Sequence, residues 1–478
     1  MKVLSNAFWL SFSRIGADVL SFVLFAAISR TFGPGGTGEY SYAFAVATLV
    51  ALTATAGFED YGIRQYSHAA SLERPQLWQD ILTTQVIQLL IAAAGLAVFA
   101  SFSALRLSEI VVVLELAVYV VGWTMSYTFF IPAYASQFMM VPALTDLTCR
   151  MTAIVTALVL TLLFHRPLPW VLAGFPLAGL ALAALSLRSA LAHGASLKLA
   201  RSWRGVVSTW KKTSAFVGSE ILNQFYARAD ILLIAYFLGD ASVGLYATDI
   251  KFVEVGILPL VLLGTAAYPL LSRHAALDPP AFKLSARDFS RIVFFASGWL
   301  AIGLYWLLPL LIVPLFGAKF APSVALLPLF ALFVLMKAWE VAFYRVLYSV
   351  KRQLFYCYSL IVGTVVIVAL NLWLIPAYGL TGAIAAAIAS ILVVDAICAG
   401  GLRRELGGAF MAALLVRLAI ALGLAGGAAV LAREFARTGP LLTCLLACAL
   451  YPVFGAILGL VPHPRHSPLL RQAQGEKS

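Results

Sequence analysis

Arg14 and Asp18 lie one helical turn apart in the middle of the first long apolar stretch, so both side chains leave the same helix face. Ionised groups inside membrane spans face a bundle interior or a watered cavity, and often mark a substrate path. The arrangement recurs: Asp146 with Arg150, Glu220 near Arg228, Lys251 with Glu254, and Lys337 with Glu340. The basic groups suit anionic ligands such as phosphate. The carboxyl groups suit a coupling ion, H+ or Na+.

Seven basic residues fall inside apolar runs: Arg14, Arg150, Arg228, Lys251, Lys337, Arg345 and Arg417. Arg150, Arg345 and Arg417 lie near span ends, where long side chains can snorkel to the interface. Arg14, Arg228, Lys251 and Lys337 are deeper. Each also has a carboxylate at or near helical spacing, so structural ion pairing competes with a binding role. Glu220, Asn223, Gln224 and Arg228 form one stripe by three-and-four spacing. Asn371 and Asp395 are further candidates, each able to hydrogen-bond a neighbouring helix instead.

The elements that must position these groups are membrane helices. The chain has 478 residues, 62% hydrophobic and 11% charged, against about 25% charged in a soluble domain. Apolar runs of about 20 residues repeat from end to end, as in a multi-span bundle. The fold class is all-α and polytopic, with about fourteen spans. They include 5–31, 39–60, 212–238, 243–271, 291–316, 409–432 and 440–461, with the longest loops near 61–79, 189–211 and 272–290. The first run is expected to stay as a span, since Lys2 alone makes a poor basic leader region.

With the N-terminus inside, twenty Lys and Arg fall on its side of the membrane and six on the other. That bias predicts cytoplasmic termini and an even number of spans. The net charge of +12 then reflects topology and anionic lipid headgroups rather than nucleic acid. The five cysteines lie in apolar spans and give no disulfide framework. Cys444 and Cys448 share a face but have no flanking His or carboxylate, and His463 and His466 sit in a Pro-rich tail, so no metal site is expected. The stretch from Gly33 to Gly38 lacks the Gly-Lys-Ser/Thr ending of a phosphate loop and reads as a turn. No nucleotide-hydrolysing domain and no nucleophile–base arrangement stands out.

Two segments repeat. Phe32-Gly33, four residues, Gly38-Glu39-Tyr40 matches Leu238-Gly239, four residues, Gly244-Leu245-Tyr246 at an offset of 206. His68-Ala69-Ala70 and His274-Ala275-Ala276 share that offset. Span 1 then corresponds to span 7, so the halves are parallel repeats, an arrangement used by transporters. The expected organisation is an N-terminal lobe at 1–188, a basic linker at 189–211, a C-terminal lobe at 212–402, and two extra helices with a tail at 403–478. The two six-helix lobes would enclose a central cavity with pseudo-twofold symmetry.

With these motifs in hand, the chain resembles the polysaccharide or oligosaccharide flippases of the multidrug/oligosaccharidyl-lipid/polysaccharide exporter superfamily. The resemblance rests on Ser13-Arg14-Ile15-Gly16-Ala17, the Phe32 to Tyr40 turn and the Gly57 to Arg64 segment. Further on it rests on Arg228-Ala229-Asp230 with the Leu238 to Tyr246 turn, and on Asn371 followed by Pro376-Ala377-Tyr378-Gly379 and Gly382-Ala383. It implies export of a polyprenyl-pyrophosphate-linked glycan across a bacterial inner membrane. Partners would be anionic lipids and the polymerase and glycosyltransferases of the same pathway. Under it Arg14, Arg228, Lys251, Lys337 and Asn223 would contact pyrophosphate or sugar. Asp18, Glu220, Glu254 and Glu340 would set charge or carry the coupling ion. A peptidoglycan-precursor flippase and a cation-coupled multidrug exporter are alternatives within the superfamily. A membrane-embedded envelope-synthesis enzyme is the alternative outside it.

Overall fold

In oil every backbone N–H and C=O must be satisfied within the chain, which leaves helices as the economical solution for so apolar a sequence. The computed structural model describes residues 2–55, 62–63, 65–66, 73–102, 106–136, 138–435, 437 and 439–462, and among these it is all helical. Twelve helices are long and apolar enough to cross a membrane. We number the principal helices α1 (Lys2–Thr55), α2 (Arg74–Phe102), α3 (Leu107–Phe129), α4 (Met140–Leu162), α5 (Gly174–Ala192) and α6 (Trp203–Leu238). They continue as α7 (Asp240–Leu277), α8 (Pro279–Ile302), α9 (Leu327–Ser349), α10 (Gln353–Gly401), α11 (Gly408–Phe435) and α12 (Pro440–Ile457).

Two of the twelve are broken. α1 has 54 residues, which would run about 80 Å if straight, against about 30 Å of hydrocarbon. It bends at Gly33, whose φ of 68° and ψ of −168° leave the helical region. Pro34 follows, at the first helical position of the second rod, where its missing N–H costs nothing. α10 breaks likewise at Gly379 (φ 61°, ψ −138°). With each counted as two rods, the described residues hold the fourteen expected spans.

The repeat is visible in the backbone. Gly239 (φ 78°, ψ 177°) separates α6 from α7 with nearly the dihedrals of Gly33, its partner at the offset of 206. The two turns also meet reciprocally. A Cβ on Gly38 would lie 1.7 Å from the Asp240 carbonyl oxygen, and one on Gly244 would lie 1.9 Å from that of Pro34. Residues 34 and 240, and 38 and 244, are themselves repeat partners, so the contact is reciprocal. Next to it, Glu109 accepts from the Arg106 backbone N–H (2.9 Å) and pairs with its guanidinium. Glu39 and Asp240 lie within electrostatic reach. The hydrogen bond and charge of Glu109, helped by those two acids, hold the exposed Arg106 above the ordinary arginine range.

The helices group into two compact units, Met1–Ala235 with Gly239–Gly244, and Tyr236–Leu238 with Leu245–Ser478. The first is centred on α1, α3, α4 and α5, with Leu24, Ile28, Val112, Leu116, Ile154 and Phe175 at its core. α6 begins at Trp203, earlier than expected, and its Leu232 packs on that core. The grouping of the helices changes at the end of α6. The segment before α6 is tied to α2: the Trp78 indole donates to the Ser196 carbonyl (2.8 Å), and the Ala200 N–H to the Thr83 hydroxyl (2.7 Å).

In the second unit α9 packs on α8 and on α10. Phe294 and Trp339 stack at 4.8 Å. The two terminal helices lie against α8, where the Tyr451 hydroxyl donates to the Phe295 carbonyl (2.8 Å) and the Arg287 guanidinium to the Leu406 carbonyl (2.8 Å). The loop expected near 272–290 is absent. Asp278 alone separates α7 from α8, and its carboxylate caps Ala281 N–H at 3.0 Å. Pro279 and Pro280 start the next helix with preset φ. The charges of this segment suggested a loop, whereas they lie along helical faces. His68-Ala69-Ala70, nearly all of the Gly57 to Arg64 segment, His463 and His466 lie outside the described residues.

The interlocked turns lead to a prediction. Gly38→Ala and Gly244→Ala should each lower stability by about 1–3 kcal/mol through overpacking. Gly35→Ala, with nothing within 4 Å of a new Cβ, should unfold at the wild-type temperature. Thermal unfolding of the detergent-solubilised variants reads both.

Candidate functional site

Among the described residues, two clusters of little-exposed charge stand out, Asp146 with Arg150 in the first unit and Lys337 with Glu340 and Asp395 in the second. In the first unit α4 presents Asp146 and Arg150 one turn apart. The Arg150 Nε donates to Asp146 Oδ1 at 2.9 Å, with the two side chains only 14% and 19% exposed. The guanidinium lies over the Trp123 ring of α3, 4.1 Å from its centroid, a cation–π contact. Tyr119 and Tyr127 of α3 are within its electrostatic reach. α1 contributes the Ser13 hydroxyl, hydrogen-bonded to Asp146, and Asp18, within electrostatic reach of the same carboxylate. Three helices therefore converge on a guanidinium, two carboxylates and three aromatic rings. Such a set matches a sugar, which stacks on rings and hydrogen-bonds to charged groups.

The sequence reading set Arg150 aside as able to snorkel. It does not: it is enclosed by Trp123 and Asp146. The signal was the aromatic run on α3, Tyr119, Trp123 and Tyr127 at every fourth position, which lays one ring after another along one face. The side chains of Arg14 and Glu220 lie outside the described residues. Asn223 is half-buried on α6. Arg228, also on α6, lies 5.9 Å from the Phe44 ring of α1, so it joins the first unit and not the second.

In the second unit the Lys337 ammonium pairs with Glu340 Oε2 at 2.5 Å on α9. The Tyr356 hydroxyl of α10 donates to Glu340 Oε1 at 2.6 Å. Glu340 is 3% exposed and Asp395, on the second rod of α10, 5%. Lys251 and Glu254 pair at 3.2 Å on α7, but at 28% and 41% exposed they form a surface pair. Arg345 reaches across to α7, donating to the Thr265 hydroxyl at 2.9 Å, with its guanidinium near the Tyr344 ring. Arg417 extends to Gly459 beyond α12. Asp249, fully buried on α7, was not among the sequence candidates. Its neighbours Lys251 and Glu254 drew the reading to the exposed face of the same helix.

These enclosures differ in cost if broken. Arg150→Met should destabilise by about 3–5 kcal/mol, because Asp146 is left buried without its cation. Adding Asp146→Leu should recover most of that loss. Lys251→Met should be nearly neutral. Unfolding temperatures in detergent for the four proteins, with wild type, decide it.

Residues 3–275 match the family described as polysaccharide biosynthesis protein. No curated protein matches the chain in sequence. Solved structures share its fold. The lipid II flippase MurJ, in an inward closed conformation, superposes with a TM-score of 0.76 at 13% identity, over 94% of this chain and 98% of that one. A multidrug resistance transporter of the MATE family, inward-facing, gives 0.59 at 12% identity, over 81% and 94%. A MOP superfamily transporter from Pyrococcus furiosus gives 0.53 at 13% identity, over 84% and 94%. These solved structures, at 12–13% identity, show what fold the chain has. The chain is a multi-pass membrane protein that belongs to the polysaccharide biosynthesis protein family, and it shares its fold with these solved structures.

Proposed function

We propose that the protein carries a polyprenyl-pyrophosphate-linked oligosaccharide from the cytoplasmic to the outer leaflet of a bacterial inner membrane, by alternating access, with both termini cytoplasmic. The family match over residues 3–275 carries this reading. The chemistry of the first unit supports it. A glycan headgroup offers hydroxyls and apolar ring faces, which Asp146, Arg150, Trp123, Tyr119 and Tyr127 can meet. The pyrophosphate is a double anion that a guanidinium or ammonium can meet, and the candidates are Arg14 and Arg228 within the first unit, and Lys251 and Lys337 within the second. Asn223 contacts sugar hydroxyls. Asp18, Glu220, Glu254 and Glu340 balance the cations or carry the coupling ion. The polyprenyl tail needs no protein cover, because the bilayer dissolves it. The polymerase and glycosyltransferases of the pathway are the partners this activity serves.

A second reading follows from the likeness to the lipid II flippase, the highest TM-score among the three structures. A peptidoglycan precursor is also a polyprenyl-pyrophosphate-linked sugar, so the same groups would serve. A cation-coupled drug exporter has less use for so many basic residues inside apolar runs.

The test is a strain lacking the gene. Loss of surface polysaccharide with accumulation of cytoplasm-facing lipid-linked oligosaccharide is expected. Arg228→Glu should fail to restore export while the protein level in the membrane is kept. Accumulated peptidoglycan precursor would favour the second reading. Unchanged glycan with new drug sensitivity would favour the exporter.

A further inference from the structure

Within the second unit, α9 and α10 enclose more acid than base. Glu340 has both oxygens engaged, one by the Lys337 ammonium and one by the Tyr356 hydroxyl. Asp395 is buried beside them, within electrostatic reach of Glu340 and Lys337. Neither of its oxygens has a hydrogen-bond partner among the described residues. One turn on, Cys398 is fully buried with its Sγ 3.3 Å from the Ser359 hydroxyl. Two carboxyl groups thus share one ammonium, and among the described residues the remaining unit of negative charge has no cation of its own. An uncompensated charge at this depth is expensive, so something must neutralise it.

We propose that the Glu340–Asp395 pair is a proton-binding site, with Asp395 as the group that gains and loses the proton. This rests on the transporter reading above and assigns its coupling ion. A proton suits the site better than sodium. Sodium needs a shell of several oxygens, whereas both Glu340 oxygens are already taken and only the two of Asp395 are open. The exchange is simple: the Asp395 carboxylic acid releases its proton to water and becomes a carboxylate, and no other bond changes. The groups facing it are Lys337 and Glu340 from α9, Tyr356 from the first rod of α10, and Cys398 on its own rod. Lys337 is the open side of this cluster, 32% exposed, so the proton enters and leaves past its ammonium. With the proton on, the cluster is neutral and α9 can close on α10. With it off, two carboxylates repel across that helix pair, which ties charge state to helix packing.

Infrared spectroscopy of the full-length protein in liposomes tests the site without any glycan. Wild type should show a buried protonated-carboxyl C=O band that disappears on titration to alkaline pH. Asp395→Asn should lack that band. In Glu340→Gln the Lys337 ammonium has Asp395 alone to pair with, so the band should be lost at neutral pH. A wild type with no such band, or a band unchanged in Asp395→Asn, overturns the proposal. So does a band that vanishes at constant pH when sodium chloride replaces choline chloride, since sodium would then be the ligand. Coupling is tested in the deletion strain. Asp395→Asn should reach the membrane at wild-type level yet fail to restore surface glycan, and full restoration would overturn the coupling role. If the deletion strain shows no glycan defect at all, the substrate reading fails while the infrared result still stands.

Discussion

Two carbonyl oxygens, those of Pro34 and Asp240, each occupy the place where a methyl would stand on a glycine of the opposite turn. Much of the architecture follows from that constraint. The turns can come so close only because Gly38 and Gly244 have no side chains, and because Gly33 and Gly239 let the chain reverse direction within one residue. The first rod of α1 and the whole of α6 end at these turns, and the second rod of α1 and α7 begin there.

Away from the turns, charge is settled locally. Arg150 with Asp146, Lys337 with Glu340, and Arg352 with Glu405 at 3.1 Å each find a partner in their own unit. This keeps the cost of burial modest, and it separates two kinds of site. Around Arg150 the cation is matched and the surrounding rings are large, which suits recognition. Around Asp395 the account does not balance, which suits ion exchange.

What could be read in the sequence was whatever depends on local spacing. The span count, the glycine turns, the offset of 206 and the same-helix pairs at three or four residues all emerged that way. Contacts between helices were less legible. Arg150 looked dispensable because its ring partner lies 27 positions away on α3. Arg228 was assigned to the second lobe by the repeat, yet it lies beside Phe44 because α6 packs with the first unit. Tyr356 carried no signal, since a tyrosine at the start of an apolar helix is unremarkable until a buried carboxylate is found opposite its hydroxyl. The Asp278 junction was missed for a different reason: charge density was taken as evidence of a loop, although the Asp-Pro-Pro sequence is a helix start.

The terminal helices carry one more consequence. Tyr451 is fully buried, and a Cβ on Gly298 would fall 2.1 Å from its oxygen. The last span is therefore keyed to a notch in α8 at the level of individual atoms. A chimera that grafts this final pair onto another helical bundle must also import a glycine at the facing position.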